Sequence, residues 1–246
     1  MPDRRVFRIG GPDAEGFLQG LITNDVAKAH DGLVYAALLT PQGKFIADFF
    51  LVRDDDTYLL DAPDFCADDL VRRLGMYKLR ANVQIDPTEL SVHRGLDVPP
   101  PDGFADPRHP ELGWRAYRSQ PATPVDVDWT AIRVTHCIPE TGIELNDGSY
   151  ILEAGFEALN GVDFSKGCYV GQEVTARMKH KTELRKGLRR VAISGNAPIG
   201  TDITVDGKSV GQIFSQSGDT AIAYLRLDRV KPQMKAADAR VSMIAE

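Results

Sequence analysis

Between Leu33 and Ala62 the apolar residues fall into three short runs, "LVYAALLT", "KFIADFFLV" and "TYLLDA", cut by "PQG" and "RDDD". Runs of this length between turn-forming residues predict a meander of antiparallel strands in a half-buried sheet. Ahead of them, "GPDAEGFLQGLITNDV" carries Gly11 and Pro12, then Asp13 and Glu15 in a would-be first turn, with Phe17, Leu18, Leu21 and Ile22 on one helical face. That spacing predicts a short amphipathic helix ending near Thr23, Asn24 and Asp25. "DFCADDLVRRLGMY" is helical again, with Asp64 as its N-cap and Leu70, Val71 and Leu74 facing inward, and "KLRANVQI" alternates as a strand.

The pattern loosens between about 97 and 130, where proline and acidic residues flank one short strand, "WRAYR". "WTAIRVTHCIPETG" has no clear period, and the loop-dominated stretch after it enters "EVTARMKHKTEL", predicted as a helix with Val174 and Met178 on its buried side. From Gly187 the period becomes two. "GLRRVAISG", "DITVDGKSVGQIFSQSGDTAIAYLRL" and "ARVSMIA" predict short strands, with a tight turn at Asp206-Gly207. The chain therefore reads as α+β in two parts, residues 1–186 and a small C-terminal β-barrel over 187–246.

Composition narrows the class. At 246 residues and 43% hydrophobic the chain supports ordinary packed cores. It has no apolar run of the roughly 20 residues a bilayer span needs, and "MPDRRVFRIGG" lacks the apolar stretch of a secretory signal. Cys66, Cys137 and Cys168 form no close pair, so free thiols in a reducing, cytoplasmic setting are expected, with no membrane partner. A net charge of -6 argues against a surface that binds nucleic acid all over. Arg177, Lys179, Lys181, Arg185, Lys186, Arg189 and Arg190 nevertheless concentrate positive charge beside His180, suiting an anionic ligand, an RNA backbone or an acidic partner. The plainer reading is a solvated helix face.

The segment with the most chemistry is "FSKGCYVGQEVTARMKHK", residues 164–181. Lys166 precedes Cys168, and a helix N-terminus follows it; both favour a thiolate. Gly167 and Gly171 suit a tight loop presenting Cys168 and Tyr169, and Gln172 and Glu173 fall in the first helical turn. The alternative is a small buried hydrophobe in an ordinary loop.

"KGCYVGQE" resembles the signature of the YgfZ-type folate-binding proteins, relatives of the glycine-cleavage T-protein (aminomethyltransferase) implicated in maintaining iron-sulfur enzymes. "GPDAEGFLQGLITNDV", "LTPQGKFIADFFL", "MYKLRANV" and "VGQIFSQSGDTAIAYLRL" are similar to that superfamily in the same order, most weakly from 97 to 130. The resemblance implies a ring of two interleaved α/β subdomains, the middle one reduced, plus the barrel, around a channel holding tetrahydrofolate. It implies that Asp48 stands at the second acidic position beside the folate, with Ala47 at the first, and that Glu153 accepts from the pterin. Asn24, Lys166, Gly167, Tyr169, Gly171, Gln172, Glu173 and Arg177 would complete the folate site.

Three functions follow from these readings. The first is a tetrahydrofolate-binding accessory protein that supports assembly or repair of iron-sulfur enzymes, with Cys168 as its reactive group and iron-sulfur client or assembly proteins as partners. The second is a folate-dependent aminomethyl transferase using Asp48. The third is an RNA- or protein-binding module, for tRNA among others, using residues 177–190. One cysteine cannot supply the full ligand set of a stable cluster, so no resident metal is expected and any cluster contact would be shared with a partner.

Overall fold

The computed structural model describes residues 3–180 and 184–244; Lys181 and Glu183, in and beside the basic run, lie outside them. The chain forms two compact units, Met1–Val127 with Phe156–Ala176, and Asp128–Gly155 with Arg177–Glu246.

The first unit is built on β1 (Arg4–Gly10), α1 (Ala14–Gln19), β2 (Val34–Leu39), β3 (Phe45–Asp54), β4 (Thr57–Pro63), α2 (Asp64–Lys78) and β5 (Gln84–Pro87). The strands make an antiparallel sheet in the order β2-β3-β4-β1-β5. Strands β6 (Ser91–Gly95), β7 (Phe104–Ala105) and β8 (Trp114–Arg118) form a smaller sheet, ordered β6-β8-β7. Alternation sorts the large sheet into two faces. Phe7, Ile9, Val34, Ala36, Leu38, Ala47, Phe49, Leu51, Tyr58 and Leu60 pack under Leu18, Ile22 and Val26 and under Ala67, Leu70 and Leu74 of α2. Arg4, Tyr35, Asp48, Phe50 and Asp61 fall on the opposite face.

Both faces are covered, so β2 is buried at every position and the half-buried expectation fails. The second cover is polar, which alternation alone does not announce. Three further readings change. Strand β1, unassigned from a sequence crowded with arginine, lies between β4 and β5. Pro63 is the N-cap of α2, and Asp64 is its first residue. Of the segment expected to alternate only Gln84 and Ile85 are strand, opening β5, because α2 runs on to Lys78 and Leu79 ends it at a positive φ of 44°.

The second unit contains α3 (Trp129–Thr135), a helix the sequence pattern missed; Asp128 caps it by accepting from the Ala131 amide at 2.9 Å. Helix α4 (Gln172–His180) begins in the first unit, and its fully buried residue is Thr175, while Val174 and Met178 are half-buried. Strands β9 (Lys186–Ser194), β10 (Asp202–Val205), β11 (Lys208–Ser217), β12 (Thr220–Arg226), β13 (Met234–Ala236) and β14 (Ala239–Met243) close a six-stranded barrel ordered β10-β11-β12-β9-β14-β13. Its core is aliphatic, from Val191, Ile193, Ile203, Ile213, Leu225 and Val241. Buried Arg133 of α3 donates to the Ser215 hydroxyl at 3.0 Å and pairs with Glu144 at 3.2 Å, fastening α3 to β11.

Candidate functional site

Three segments far apart in sequence interlock in the first unit: residues 23–25, residues 40–44 and the cysteine loop. Asp163 opens the loop, accepting from the Ser165 and Lys166 amides at 2.6 and 3.2 Å in the self-capping geometry aspartate favours. Its other oxygen pairs with Lys28 at 2.6 Å, and its amide donates to the Thr23 carbonyl at 3.0 Å. The Thr23 hydroxyl donates to the Gly161 carbonyl at 2.7 Å.

Lys166 then turns inward. Its buried ammonium donates to the carbonyls of Gln19, Ile22 and Asn24 at 2.8, 2.6 and 2.9 Å. An ammonium has three N–H donors, and these three acceptors use them all. Burial pushes the Lys166 pKa down to about 8, opposed by the carboxylates of Asp25 and Asp163, and the Tyr169 ring lies 5.1 Å from the ammonium. Asn24 is equally committed. Its amide donates to the Tyr35 and Asn160 carbonyls, and its oxygen accepts from the Asp25 amide and from Lys28. Both residues, expected to touch a ligand, spend their polar groups on holding the loop.

The loop's far end is fixed by contact between glycine backbones. Gly171 has φ +84°, and a Cβ there would lie 2.6 Å from the Thr40 carbonyl oxygen; Gly43 has φ +74°, and a Cβ there would meet Val174 at 2.8 Å. Any side chain at either position would force the loop and the 40–44 turn apart. Gly167 differs: its φ is ordinary and a Cβ would meet nothing within 4 Å. The sequence reading treated Gly167 and Gly171 alike, and only Gly171 is needed by the fold.

Between these anchors Gly167 and Cys168 are exposed, while Tyr169 is buried. Burial pushes the thiols of Cys66 and Cys137 up to about 11, so both stay protonated at neutral pH. Cys168 is the exposed thiol of the three. No group of three His, Cys, Asp or Glu side chains that could hold a metal occurs among the described residues. Gln172 and Glu173 stand in the first turn of α4, where the Gln172 amide donates to the Tyr169 carbonyl at 3.2 Å. Arg177 lies in its last turn, exposed.

Asp48 sits apart from Cys168 in character. It is 5% exposed, shares a sheet face with Phe50, and accepts from the Tyr35 hydroxyl at 2.9 Å. Beside it lies a buried ionic network that no sequence motif announced. Asp61 accepts from Arg4, from Arg115 at 3.3 Å and from Tyr117 at 3.3 Å; Asp106 accepts from Arg108 at 2.8 Å and Arg115 at 3.2 Å. The guanidinium groups of Arg4, Arg108 and Arg115 stack on the Phe50 ring at 5.3, 4.8 and 3.9 Å. Burial raises Asp106, but Arg108 and Arg115 outweigh it and hold the carboxyl well below the usual range.

Glu153 belongs to the second unit, where one oxygen accepts from the Tyr224 hydroxyl at 2.5 Å; burial and this carboxylate push the phenol well above its ordinary value. Arg189 and Arg190 of the basic run do not share a face. Arg189 and Arg190, consecutive on β9, point to opposite sides of the strand and donate to the Leu188 and Thr135 carbonyls, each at 2.8 Å.

An antiparallel sheet under short helices, joined in one chain to a closed barrel, is the aminomethyltransferase-type fold. The crystal structure of glycine cleavage system aminomethyltransferase T from Bartonella henselae superposes with a TM-score of 0.75 over 98% of this chain and 83% of that one, at 14% identity. Residues 185–245 match the family described as CAF17, C-terminal beta-barrel domain. The chain belongs to the family of the mitochondrial iron-sulfur cluster assembly factor IBA57. It is 30% identical to the human protein over 93% of this chain and 77% of that one, and 29% identical to the mouse protein over 98% and 81%. The Mycosarcoma maydis homologue is 33% identical, and there the chain spans about half of the relative, 54%. These relatives are named as mitochondrial, which overturns the cytoplasmic expectation. Free thiols and an acidic balance do not distinguish one reducing compartment from another. No helix among the described residues is long and apolar enough to cross a membrane.

Proposed function

We propose that this protein is an accessory factor of iron-sulfur cluster assembly that uses Cys168 as its reactive thiol and binds a reduced folate. The observation that carries the reading is the exposure of Cys168 on a loop whose every other anchor is committed to the fold. The relatives' names support the process, and the exposure of Cys168 supports the choice of residue. One thiol cannot hold a cluster alone, so Cys168 donates a single ligand to iron that a partner protein also holds. Gly167, open on the side where a Cβ would point, leaves room for that partner's backbone beside the thiol.

The folate half of the proposal rests on fold likeness and on Glu153, whose second oxygen has no hydrogen bond among the described residues beyond the bond the first makes with Tyr224. Ring and amino N–H groups of a pterin suit a carboxylate acceptor of this kind. A bound tetrahydrofolate would supply a one-carbon carrier or a redox-active pterin. Asn24 and Lys166 have no polar valence left for it and serve by shaping the loop. No observation favours the aminomethyl transferase reading, because Ala47 replaces one acid and Asp48 is buried against Tyr35. The test is deletion in the source organism: iron-sulfur enzyme activities should fall while their protein levels hold, and return with the wild-type gene. Unchanged activities would remove the role. Anaerobic calorimetry with tetrahydrofolate tests the cofactor separately; saturable binding weakened in Glu153→Gln supports it, and no binding removes it.

A further inference from the structure

We propose that the outer face of the barrel carries a binding site for a phosphate-bearing ligand, centred on Lys235 and Arg240. The proposal does not depend on Cys168 or on folate.

Strands β10, β13, β14 and β9 are consecutive in the closed barrel, and their register places Thr204 beside Lys235, Lys235 beside Arg240, and Arg240 beside Ser194. One row across these strands thus presents a hydroxyl, an ammonium, a guanidinium and a hydroxyl. All four residues line a hollow of about 1000 Å³, at the upper end of the range for small-ligand sites. Two cations directly opposite on neighbouring strands repel, and such pairs lower stability. Neither is ion-paired among the described residues.

The surroundings reinforce the sign. From Lys186 to Ile244 the sequence has nine Lys and Arg against five Asp and no Glu, in a chain whose net charge is -6. Two carboxylates reach the hollow. Asp206 is neutralised by Lys231 at 2.7 Å, and Asp219 sits on the turn between β11 and β12. A phosphoryl group matches what remains: its oxygens accept from a guanidinium fork and an ammonium at once, and from the Ser194 hydroxyl, while the Thr204 hydroxyl donates to the Lys235 carbonyl at 3.4 Å. Occupancy would relieve the repulsion between Lys235 and Arg240.

The test is calorimetric titration of the full-length protein with inorganic pyrophosphate, and fluorescence anisotropy with a short single-stranded RNA, over a salt series. Wild type is compared with Lys235→Glu, Arg240→Glu and a control, Lys186→Glu, which is exposed and outside the hollow. Saturable pyrophosphate binding is expected, weakening as the salt concentration rises because mobile ions screen the two exposed cations. Each hollow variant should weaken it by about tenfold or more, and the control should not. RNA binding much tighter than pyrophosphate, with the same variant pattern, would assign the phosphate to a nucleic acid; equal or weaker binding would assign it to a small phosphorylated compound. Lys235→Glu also converts the repelling pair into an attractive one, so its melting temperature should hold or rise, which separates lost binding from lost folding. Absence of saturable binding to either probe, or equal weakening by Lys186→Glu, overturns the site.

Discussion

Replacing Lys166 with methionine tests whether the cysteine loop is held from below. The ammonium makes three hydrogen bonds of 2.6 to 2.9 Å to the Gln19, Ile22 and Asn24 carbonyls, in a position 7% exposed. A hydrogen bond from a charged donor contributes roughly 1.5–3 kcal/mol net, so three would sum to about 4–9 kcal/mol. Relief from burying the ammonium returns several kcal/mol, leaving a net loss of about 3 kcal/mol. For units of this size that lowers the melting temperature by roughly 6–12 °C. The assay is thermal unfolding followed by circular dichroism, paired with hydrogen exchange at the Ser165 and Lys166 amides, which the Asp163 carboxylate now protects. A fall of less than about 2 °C, with exchange unchanged, would refute the cage. A pH series adds a signed prediction. The folded chain releases the Lys166 proton near pH 8 and the unfolded chain near 10.5, so between these values the unfolded state binds more protons and stability rises with pH. Wild type should therefore gain on Lys166→Met as pH climbs from 7.5 to 9.5.

Other positions give sharper contrasts. Gly171→Ala should cost about 2 kcal/mol or more in chemical denaturation, because a Cβ would be 2.6 Å from the Thr40 oxygen, whereas Gly167→Ala should stay within about 0.5 kcal/mol. Similar losses at both would mean the loop is not anchored at Gly171. Asp106→Asn leaves Arg108 and Arg115 without their shared carboxylate and should destabilise by roughly 3–5 kcal/mol, measured the same way. Since its folded pKa is depressed, Asp106 stabilises above its unfolded value of 3.8 and the contribution is lost as pH falls, so wild type should converge on Asp106→Asn in acid. Cys168 should react with a thiol reagent under native conditions while Cys66 and Cys137 wait for unfolding; equal rates would contradict their different environments.

Much of this arrangement was legible in the sequence where a local rule operates. The strands over 34–63 and the barrel turn at Asp206-Gly207 follow from period and punctuation, and α2 from its apolar spacing. The misses have physical causes. Strand β1 hides behind Arg4, Arg5 and Arg8, because its outer side chains enter ion pairs supplied by other segments. Helix α3 is a seven-residue element that follows a proline-rich connection, and its available signal was Asp128 as an N-cap rather than an apolar period. Gly167 and Gly171 are the same letter, and only the approach of residues 40–43 tells them apart. Lys166 looked like a neighbour that would acidify Cys168; its acceptors lie 142 to 147 positions away along the chain, a distance no motif spans. Asp163, which organises the loop, carried one available signal, an aspartate two residues ahead of a serine amide it could cap.

The most direct measurement is iron-sulfur enzyme activity in a deletion strain carrying Cys168→Ser, with the variant's folded level and melting temperature checked against wild type. A folded, normally abundant variant that leaves those activities at the deletion level is the predicted result. Full restoration by Cys168→Ser would contradict the role given to the thiol.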